Sequence, residues 1–445
     1  MIITSIPRVG AAGIVILCAV VSAEHAAAGG FYLSQQSVSQ VGRGGAGGAV
    51  IGGDASVIYS NPAALTTLAR PEISLGGSVL MPRVDFEDSG STAATPGSGG
   101  APAAVGGGDG GNPYDPTFVP NFYLAYPVPG DQLWLGVGVS APFGIGVKFP
   151  KGWFGRYDAI RSELTTVDIA PSLAVKINKY VSVGGGVDIQ YAEAYQTAAV
   201  PNPFAPGGPG VASDGRSRLE GEDWSVGFNA GILITPVPST RIGLHYRSGI
   251  TQDLDGENTI SGLTGPLAGG NGRFSAQASL DLPDIVTVAA SHAFTPDLTL
   301  FSEFQWFNWS RYKEIRGEFV DGRADVVLPQ NYRDSIAAVL GAEYAVSSDL
   351  TVRCGFRYET TPTRDNYRTT TVPDSDNYSL GAGLTYTLFE NLKLDVAVFG
   401  TLWEDTEIDR TDTFFAGTPA ETSTTVKARA ESRSITAALG LRYLF

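Results

Sequence analysis

The last twelve residues alternate with a period of two. Ile435, Ala437, Leu439, Leu441, Tyr443 and Phe445 fall on one face. Ser434, Thr436, Ala438, Gly440 and Arg442 fall on the other, with Leu444 near the end. Successive side chains of a strand point to opposite faces, so this is an apolar face backed by a small or polar one. The pattern recurs along the chain. Val181, Val183, Val187, Ile189 and Tyr191 alternate with Ser182, Gly184, Gly186, Asp188 and Gln190. Leu350, Val352, Cys354, Phe356 and Tyr358 alternate with Thr351, Arg353, Gly355, Arg357 and Glu359, and Leu392 to Phe399 repeats the scheme. The chain reads as all-β, with about fourteen strands, an even number as in bacterial barrels.

Alternation alone also suits a soluble sandwich, one face of which meets water. The connections discriminate. Short ones lie at Pro129-Gly130-Asp131, Asn178-Lys179, Pro236-Val237-Pro238, Thr295-Pro296-Asp297, Ser347-Ser348-Asp349 and Phe389-Glu390-Asn391. Long ones fall between them, near 88–115, 201–216, 255–272, 319–330 and 410–424. Short turns on one rim and long loops on the other mark a transmembrane antiparallel β-barrel. Tyr344, Tyr358, Trp403, Tyr443 and Phe445 sit at strand ends, where interfacial girdles form.

The N-terminus reads as a secretory signal over 1–28. Arg8 precedes an apolar run from Val9 to Val21, and Ala26, Ala27 and Ala28 form the cleavage site. Cleavage after Ala28 is expected, with Ala23 as the competitor. The run is too short to span a bilayer. Leu17 stands where a lipoprotein signal needs a small residue before Cys18. Removing the signal leaves Cys354 alone, so no intramolecular disulfide is expected. No later segment offers about 20 consecutive apolar residues, which excludes a helical membrane protein. The net charge of -15 provides no basic patch for nucleic acid.

Two segments depart from alternation. Gly99 to Gly111 is rich in Gly, Ala and Pro, and its composition predicts a flexible loop that buries no core. Its Gly106-Gly107-Gly108 lacks the context of a phosphate cradle. Residues 30–70 carry the small run from Val41 to Gly48 and then Asn61-Pro62-Ala63. Asn61 suits a helix cap and Pro62 the first helical position. Asp54 suits capping within the same segment. A compact segment ahead of a barrel has two homes, free in the periplasm or inside the lumen as a plug. A fourteen-stranded barrel leaves a hole that something must fill.

Gly30-Phe31-Tyr32-Leu33 with Gln36-Ser37 and Gly42-Arg43, then Asn61-Pro62-Ala63 and Arg70-Pro71, resembles the start of mature FadL/TodX family proteins. The likeness continues through Leu282-Pro283-Asp284, Phe307-Asn308-Trp309-Ser310-Arg311-Tyr312, Arg333-Asp334, Thr361-Pro362, Arg368 and Pro373-Asp374-Ser375-Asp376. This resemblance implies an N-terminal hatch over 29–70 inside a barrel over 71–445. It implies an outer-membrane transporter of long-chain fatty acids or hydrocarbons in a Gram-negative cell. A monomer is implied, set in outer-membrane lipid and inserted by the barrel-assembly machinery, which reads a terminal aromatic such as Phe445. A kink in the third strand, at Pro142, Phe143 and Gly144, is implied as a lateral exit for ligand. Pro142 lacks a ladder donor and Gly144 weakens a strand, so a bend is physically reasonable. The plainer alternative is an ordinary barrel bulge.

Ligand-binding candidates are Arg333, Phe143, Trp306 and Trp309. Arg333 stands where the family has a basic residue that contacts a ligand carboxylate, and parity with Ser335 puts it on the inner face. The plainer alternative is an Arg paired with a wall carboxylate. Arg247, Arg353, Arg357 and Arg442 also have inward parity. Trp306 and Trp309, three apart, face different sides of a regular strand. One suits a ligand pocket and the other a lipid girdle, and the girdle is the favoured reading for either. Two departures from the family pattern weigh toward a neutral hydrocarbon: Asn377 stands where an Arg is expected, and Ala198 where a lumenal cation is expected.

His25 leaves with the signal, while His245 and His292 have opposite parity and no nucleophile beside them. No enzyme, metal or cofactor is expected. The competing functions are a polar-solute porin, which would lack a plug, and a surface adhesin, whose business would lie in its loops.

Overall fold

The computed structural model describes residues 30–51, 53–130, 132–322 and 325–445. The expected signal segment 1–28, including Cys18 and the cleavage site, lies outside the described residues. Fourteen antiparallel strands close into a barrel. They are β1 (Glu72–Asp88), β2 (Thr117–Pro127), β3 (Leu133–Ser140 and Gly144–Lys148), β4 (Arg161–Lys176) and β5 (Val181–Val200). Next come β6 (Gly215–Val237), β7 (Thr240–Arg247 and Thr251–Ser261), β8 (Gly272–Asp281 and Ile285–Ala293) and β9 (Leu298–Phe307 and Glu314–Phe319). The last are β10 (Val326–Pro329 and Ser335–Ala345), β11 (Leu350–Glu359), β12 (Asn377–Phe389), β13 (Leu392–Trp403 and Thr406–Phe414) and β14 (Thr422–Leu444). Closure is made by β1 and β14, in register from Glu72 opposite Leu444 to Asp88 opposite Ala428.

The alternation read from the sequence is the wall's inside and outside. Leu75, Met81, Phe118, Leu135, Val226, Leu340, Leu380 and Leu402 point outward and exposed. Such a continuous apolar surface is stable only against lipid. The outward series on β14 changes from Ile435 to Arg433, Glu431 and Arg429, which fixes the edge of the lipid band. Beyond it the strands run on, so residues 255–261 and 410–414, expected as loop, are strand. Ladder hydrogen bonds favour that extension, because each continued pair satisfies backbone groups the sequence pattern does not display.

The long-loop rim has its own core. Phe149 and Trp153 stack at 3.7 Å, and Phe86 lies 5.8 Å from each ring. Of the segment Gly99–Gly111, which stays largely exposed as its composition predicts, only Gly107 and Gly110 lie against this core. A short hairpin, Thr92–Ala94 with Pro102–Ala104, pairs with β14 at Ser423 to Thr425. Gly107 has φ +134, and a Cβ there would collide with the Gly152 carbonyl. Glycine is thus required by a close backbone approach, which composition alone reads as flexibility.

Residues 30–70 fill the lumen. Their small run lies directly against wall glycines, as where Gly44 meets Gly355. Buried arginines, one from the plug and others from the wall, hold this plug in place. Arg43, fully buried, pairs with Glu343 at 3.1 Å, and Glu343 also pairs with Arg353 at 2.7 Å. Arg247 binds Asp168 and Asp188, each at 2.9 Å, and donates to the Tyr59 carbonyl at 3.1 Å. Arg442 pairs with Asp395 and donates to the Gly53 carbonyl. Truncating one partner of such a pair costs about 3–5 kcal/mol, because the other charge stays buried.

Candidate functional site

Asn61, Pro62 and Ala63 sit where the plug meets β5 and β6. Pro62–Thr67 is a 3-10 helix, with Pro62 at its start and Asn61 as its cap, accepting from the Ala63 amide at 3.1 Å. The Asn61 Nδ2 donates to the Ala49 carbonyl at 2.8 Å and to the Ile232 carbonyl of β6 at 3.2 Å. One side chain therefore caps a helix, ties two parts of the plug and anchors both to the wall. Asp54 accepts from the Ser56 amide at 2.9 Å and from Ser39.

Pro142, Phe143 and Gly144 interrupt β3. Below the break β3 pairs with both β2 and β4; above it, Gly144–Lys148 pairs with β4 alone. The free edge is taken by the plug at its lower end and by the Pro113 carbonyl, which accepts from Lys148 N at 2.9 Å, at its upper end. Leu33 N donates to the Pro142 carbonyl at 2.8 Å, and Gly144 N to the Phe31 carbonyl at 2.9 Å. Gln36 closes the same corner through the Ala141 backbone, accepting at 3.2 Å and donating at 2.7 Å. The Phe143 ring turns into the lumen, 6.2 Å from Phe31 and 5.7 Å from Tyr32.

Four further strands break at one level, at 248–250, 282–284, 308–313 and 330–334. Asp284 is the hub. It accepts from Tyr246 Oη at 2.7 Å, Gly249 N at 2.9 Å, Asn308 N at 2.9 Å and Asn308 Nδ2 at 2.8 Å. Arg311 adds an ion pair at 3.4 Å. Holding these breaks turns Trp309 and Tyr312 inward. Trp309 is fully buried, with its ring 4.7 Å from Phe31, 5.7 Å from Tyr332 and 6.1 Å from Phe143. The girdle reading of Trp309 is therefore corrected: strand parity does not carry through a 3-10 turn.

Above this aromatic floor lies a cavity of about 240 Å³. Leu254, Ala278, Leu280, Ile315 and Leu328 line it from the upper stretches of β7 to β10, with Phe31, Tyr312 and Tyr332 below. Arg410 is the one cation among the described lining residues. Its Nε and Nη2 hold Asp412 at 2.8 and 3.1 Å, and Nη1 reaches the Pro329 and Tyr367 carbonyls at 3.4 and 3.3 Å. Asp158, Glu163, Glu220 and Asp412 are its carboxylates. Asp158, in the 149–160 connection, accepts from Thr370 N at 2.7 Å, and its burial pushes its carboxyl above the usual carboxylate range.

The sequence candidates fall in different places. Phe143 and Trp309 join the floor cluster. Trp306 alternates with buried Phe307 and lies half-buried on the outer face. Arg333 is exposed, outside the cavity, and its expected inward parity is corrected. The break in β10 places Asn331 at φ 44, and Arg333 Nε donates to the Thr361 carbonyl at 3.1 Å. Ala198 does line the cavity, so the cation missing from the sequence is missing from this surface. Sequence reading overlooked Leu254, Leu280 and Arg410. The available signal was that apolar residues such as Ala276, Ala278 and Leu280 occupy inner parity, where a barrel lumen is otherwise polar.

Residues 19–445 match the family described as outer membrane protein transport protein (OMPP1/FadL/TodX). The chain is 28% identical over 392 residues to a long-chain fatty acid transport protein of Escherichia coli O6:H1, spanning 82% of this chain and 85% of that one. It is 28% identical over 402 residues to outer membrane protein P1 of Haemophilus influenzae, spanning 84% and 86%. A FadL homologue of Pseudomonas aeruginosa has the same fold, with a TM-score of 0.84 at 24% identity over 94% of this chain and 100% of that one. The toluene transporter TbuX of Ralstonia pickettii superposes with a TM-score of 0.64 at 21% identity over 91% and 97%. The chain belongs to the OMPP1/FadL/TodX family, and is an outer-membrane β-barrel of a family of transport proteins.

Proposed function

We propose that this protein carries uncharged hydrophobic molecules, hydrocarbons above all, across the outer membrane, binding them in the cavity above Phe31. The carrying observation is the lining: apolar side chains from β7 to β10 and, among the described residues, a single cation, Arg410, whose charge is already paired with Asp412 and whose three nitrogens each hold a protein acceptor. Apolar pockets with few convergent polar groups are the usual form of small-molecule sites. A buried carboxylate without a free partner is costly by several kcal/mol. The relatives named as fatty-acid transporters support the alternative in which a fatty acid binds with its head group in the open mouth.

Passage from the cavity runs sideways at Pro142, Phe143 and Gly144, where the upper part of β3 has no β2 partner and is held by residues 31–33. The segment 29–70 acts as the hatch, and the protein works as a monomer. A plug tied to the wall by Asn61 and three arginines disfavours the porin reading.

The test is ligand binding to the purified protein in detergent, followed by intrinsic tryptophan fluorescence. A long alkane or an aromatic hydrocarbon should bind at least as tightly as a fatty acid of equal length. A fatty acid bound about tenfold more tightly, near 1.4 kcal/mol, would overturn the uncharged preference.

A further inference from the structure

On the turn side of the aromatic floor the lumen holds a second, smaller space of about 30 Å³. Its walls are of the opposite character: Tyr32 from the plug, with His245, Arg247, Glu303, Gln305 and Arg357 from the barrel. Phe31 and Tyr32, adjacent in sequence, thus face two different chambers, Phe31 the apolar one and Tyr32 the polar one.

Three buried atoms of this lining have no hydrogen-bond partner: His245 Nε2, Glu303 Oε2 and Arg357 Nη2. Their residues are 3%, 6% and 2% exposed. Arg357 keeps an ion-pair contact with Glu359 at 2.9 Å through the same Nη2, and its Nη1 donates to Gln305 at 2.9 Å. Buried polar atoms are nearly always satisfied by protein or by ordered water. A water needs roughly 10–15 Å³ of such space and two to four polar partners. The chamber meets both conditions for roughly two waters. An anion would suit Arg357 and Arg247, but the free oxygen of Glu303 shares the same space and would repel it. Arg247 is in any case held by Asp168 and Asp188.

We infer that this chamber is a structural water site, in which ordered water bridges His245, Glu303 and Arg357 between the hatch and the wall. The site also acts as a polar stop. A hydrophobic molecule moving below Phe31 would have to displace water bonded to charged groups and could not replace those bonds. This second role rests on the reading that the upper cavity takes the ligand; the water site does not.

The test is a crystal structure of the mature protein at a resolution that shows ordered water. Density is expected within hydrogen-bond distance of at least two of the three atoms. It should carry no anomalous signal after a bromide soak. His245→Leu should lose the peak beside position 245 and keep heat-modifiable gel mobility; Glu303→Gln, which preserves shape, should keep its water. An empty chamber or a bromide peak would overturn the water site. Crystals soaked in an alkane separate the two readings. Alkane above Phe31 with water below supports the stop, and alkane inside the lower chamber overturns it. Water below with no alkane above would remove the proposed function and leave the water site standing.

Discussion

Leu33 donates its backbone amide to the Pro142 carbonyl across 2.8 Å, which makes the plug a strand-like partner for the wall where β2 and β3 part. The bond joins residues far apart in sequence, and the isolated Tyr32–Phe143 bridge beside it extends the pairing. The break in β3 is thus closed by main-chain hydrogen bonds and a cluster of rings.

Phe143→Ala removes the ring that packs on Phe31, Tyr32 and Trp309. Truncating a buried Phe costs about 3–5 kcal/mol when the cavity cannot collapse. The loss should be local, because β3 remains paired to β4. Hydrogen exchange at the Leu33 amide should accelerate while amides of β12 stay protected. Equal acceleration in both would mean that the corner supports the whole barrel.

Asn61→Ala and Gly231→Ala should share a phenotype. The first removes a cap, a bond within the plug and a bond to the wall, a loss of about 1–2 kcal/mol for the cap alone. The second places a Cβ inside contact distance of the Asn61 Oδ1 from the wall side. Both should reduce hydrocarbon uptake by whole cells and leave heat-modifiable mobility intact. Uptake impaired by one and not the other would separate the cap from the anchor.

Gly107→Ala should open the long-loop rim. The new Cβ meets the Gly152 carbonyl, and φ +134 is strained for any side chain. Limited proteolysis should cut within 99–111 faster than in the native protein. An unchanged cutting rate would restore the flexible-loop reading.

Asp158 makes the contact between the 149–160 connection and Thr370 sensitive to pH. Burial raises its folded pKa above its unfolded value, outweighing the Arg410 charge and the Thr370 bonds that lower it, so the protonated form favours keeping the 149–160 connection buried. Its contribution is complete below the ordinary carboxylate value of about 3.9 and is lost as pH rises through the elevated one. Exchange at the Thr370 amide, corrected for the intrinsic rate, should therefore increase with pH across that window. Asp158→Asn should flatten the response; a persistent response would assign it to another group.

Asp284→Ala should weaken ligand binding from outside the cavity. It deprives Gly249 N, Tyr246 Oη and Asn308 Nδ2 of their acceptor, each such loss costing about 1–3 kcal/mol where the group stays buried. Trp309 and Tyr312 then lose their fixed approach. Hydrocarbon affinity should fall while strand content by circular dichroism holds. Unchanged affinity would show that the breaks stand without their hub.

The residue order by itself determined the wall. A period of two is a local property, so Ile435 to Phe445 states which side chains meet lipid without reference to any neighbour. Asn61 and Pro62 are equally local, since a cap and a first helical position need only adjacent backbone. Arg247, Arg353, Arg357 and Arg442 could be placed inward because their strands are unbroken there. Parity fails where a strand breaks, and the cavity is built from breaks. Arg333 and Trp309 were misplaced because the turns at 330–334 and 308–313 reset the facing of all that follows. Only the closed barrel decides that Leu254, Leu280 and Leu328 converge with Phe31, since these contacts join distant strands. The same holds for Gly107: its glycine reads as looseness until Trp153 and Gly152 arrive from another loop and leave no space for a side chain.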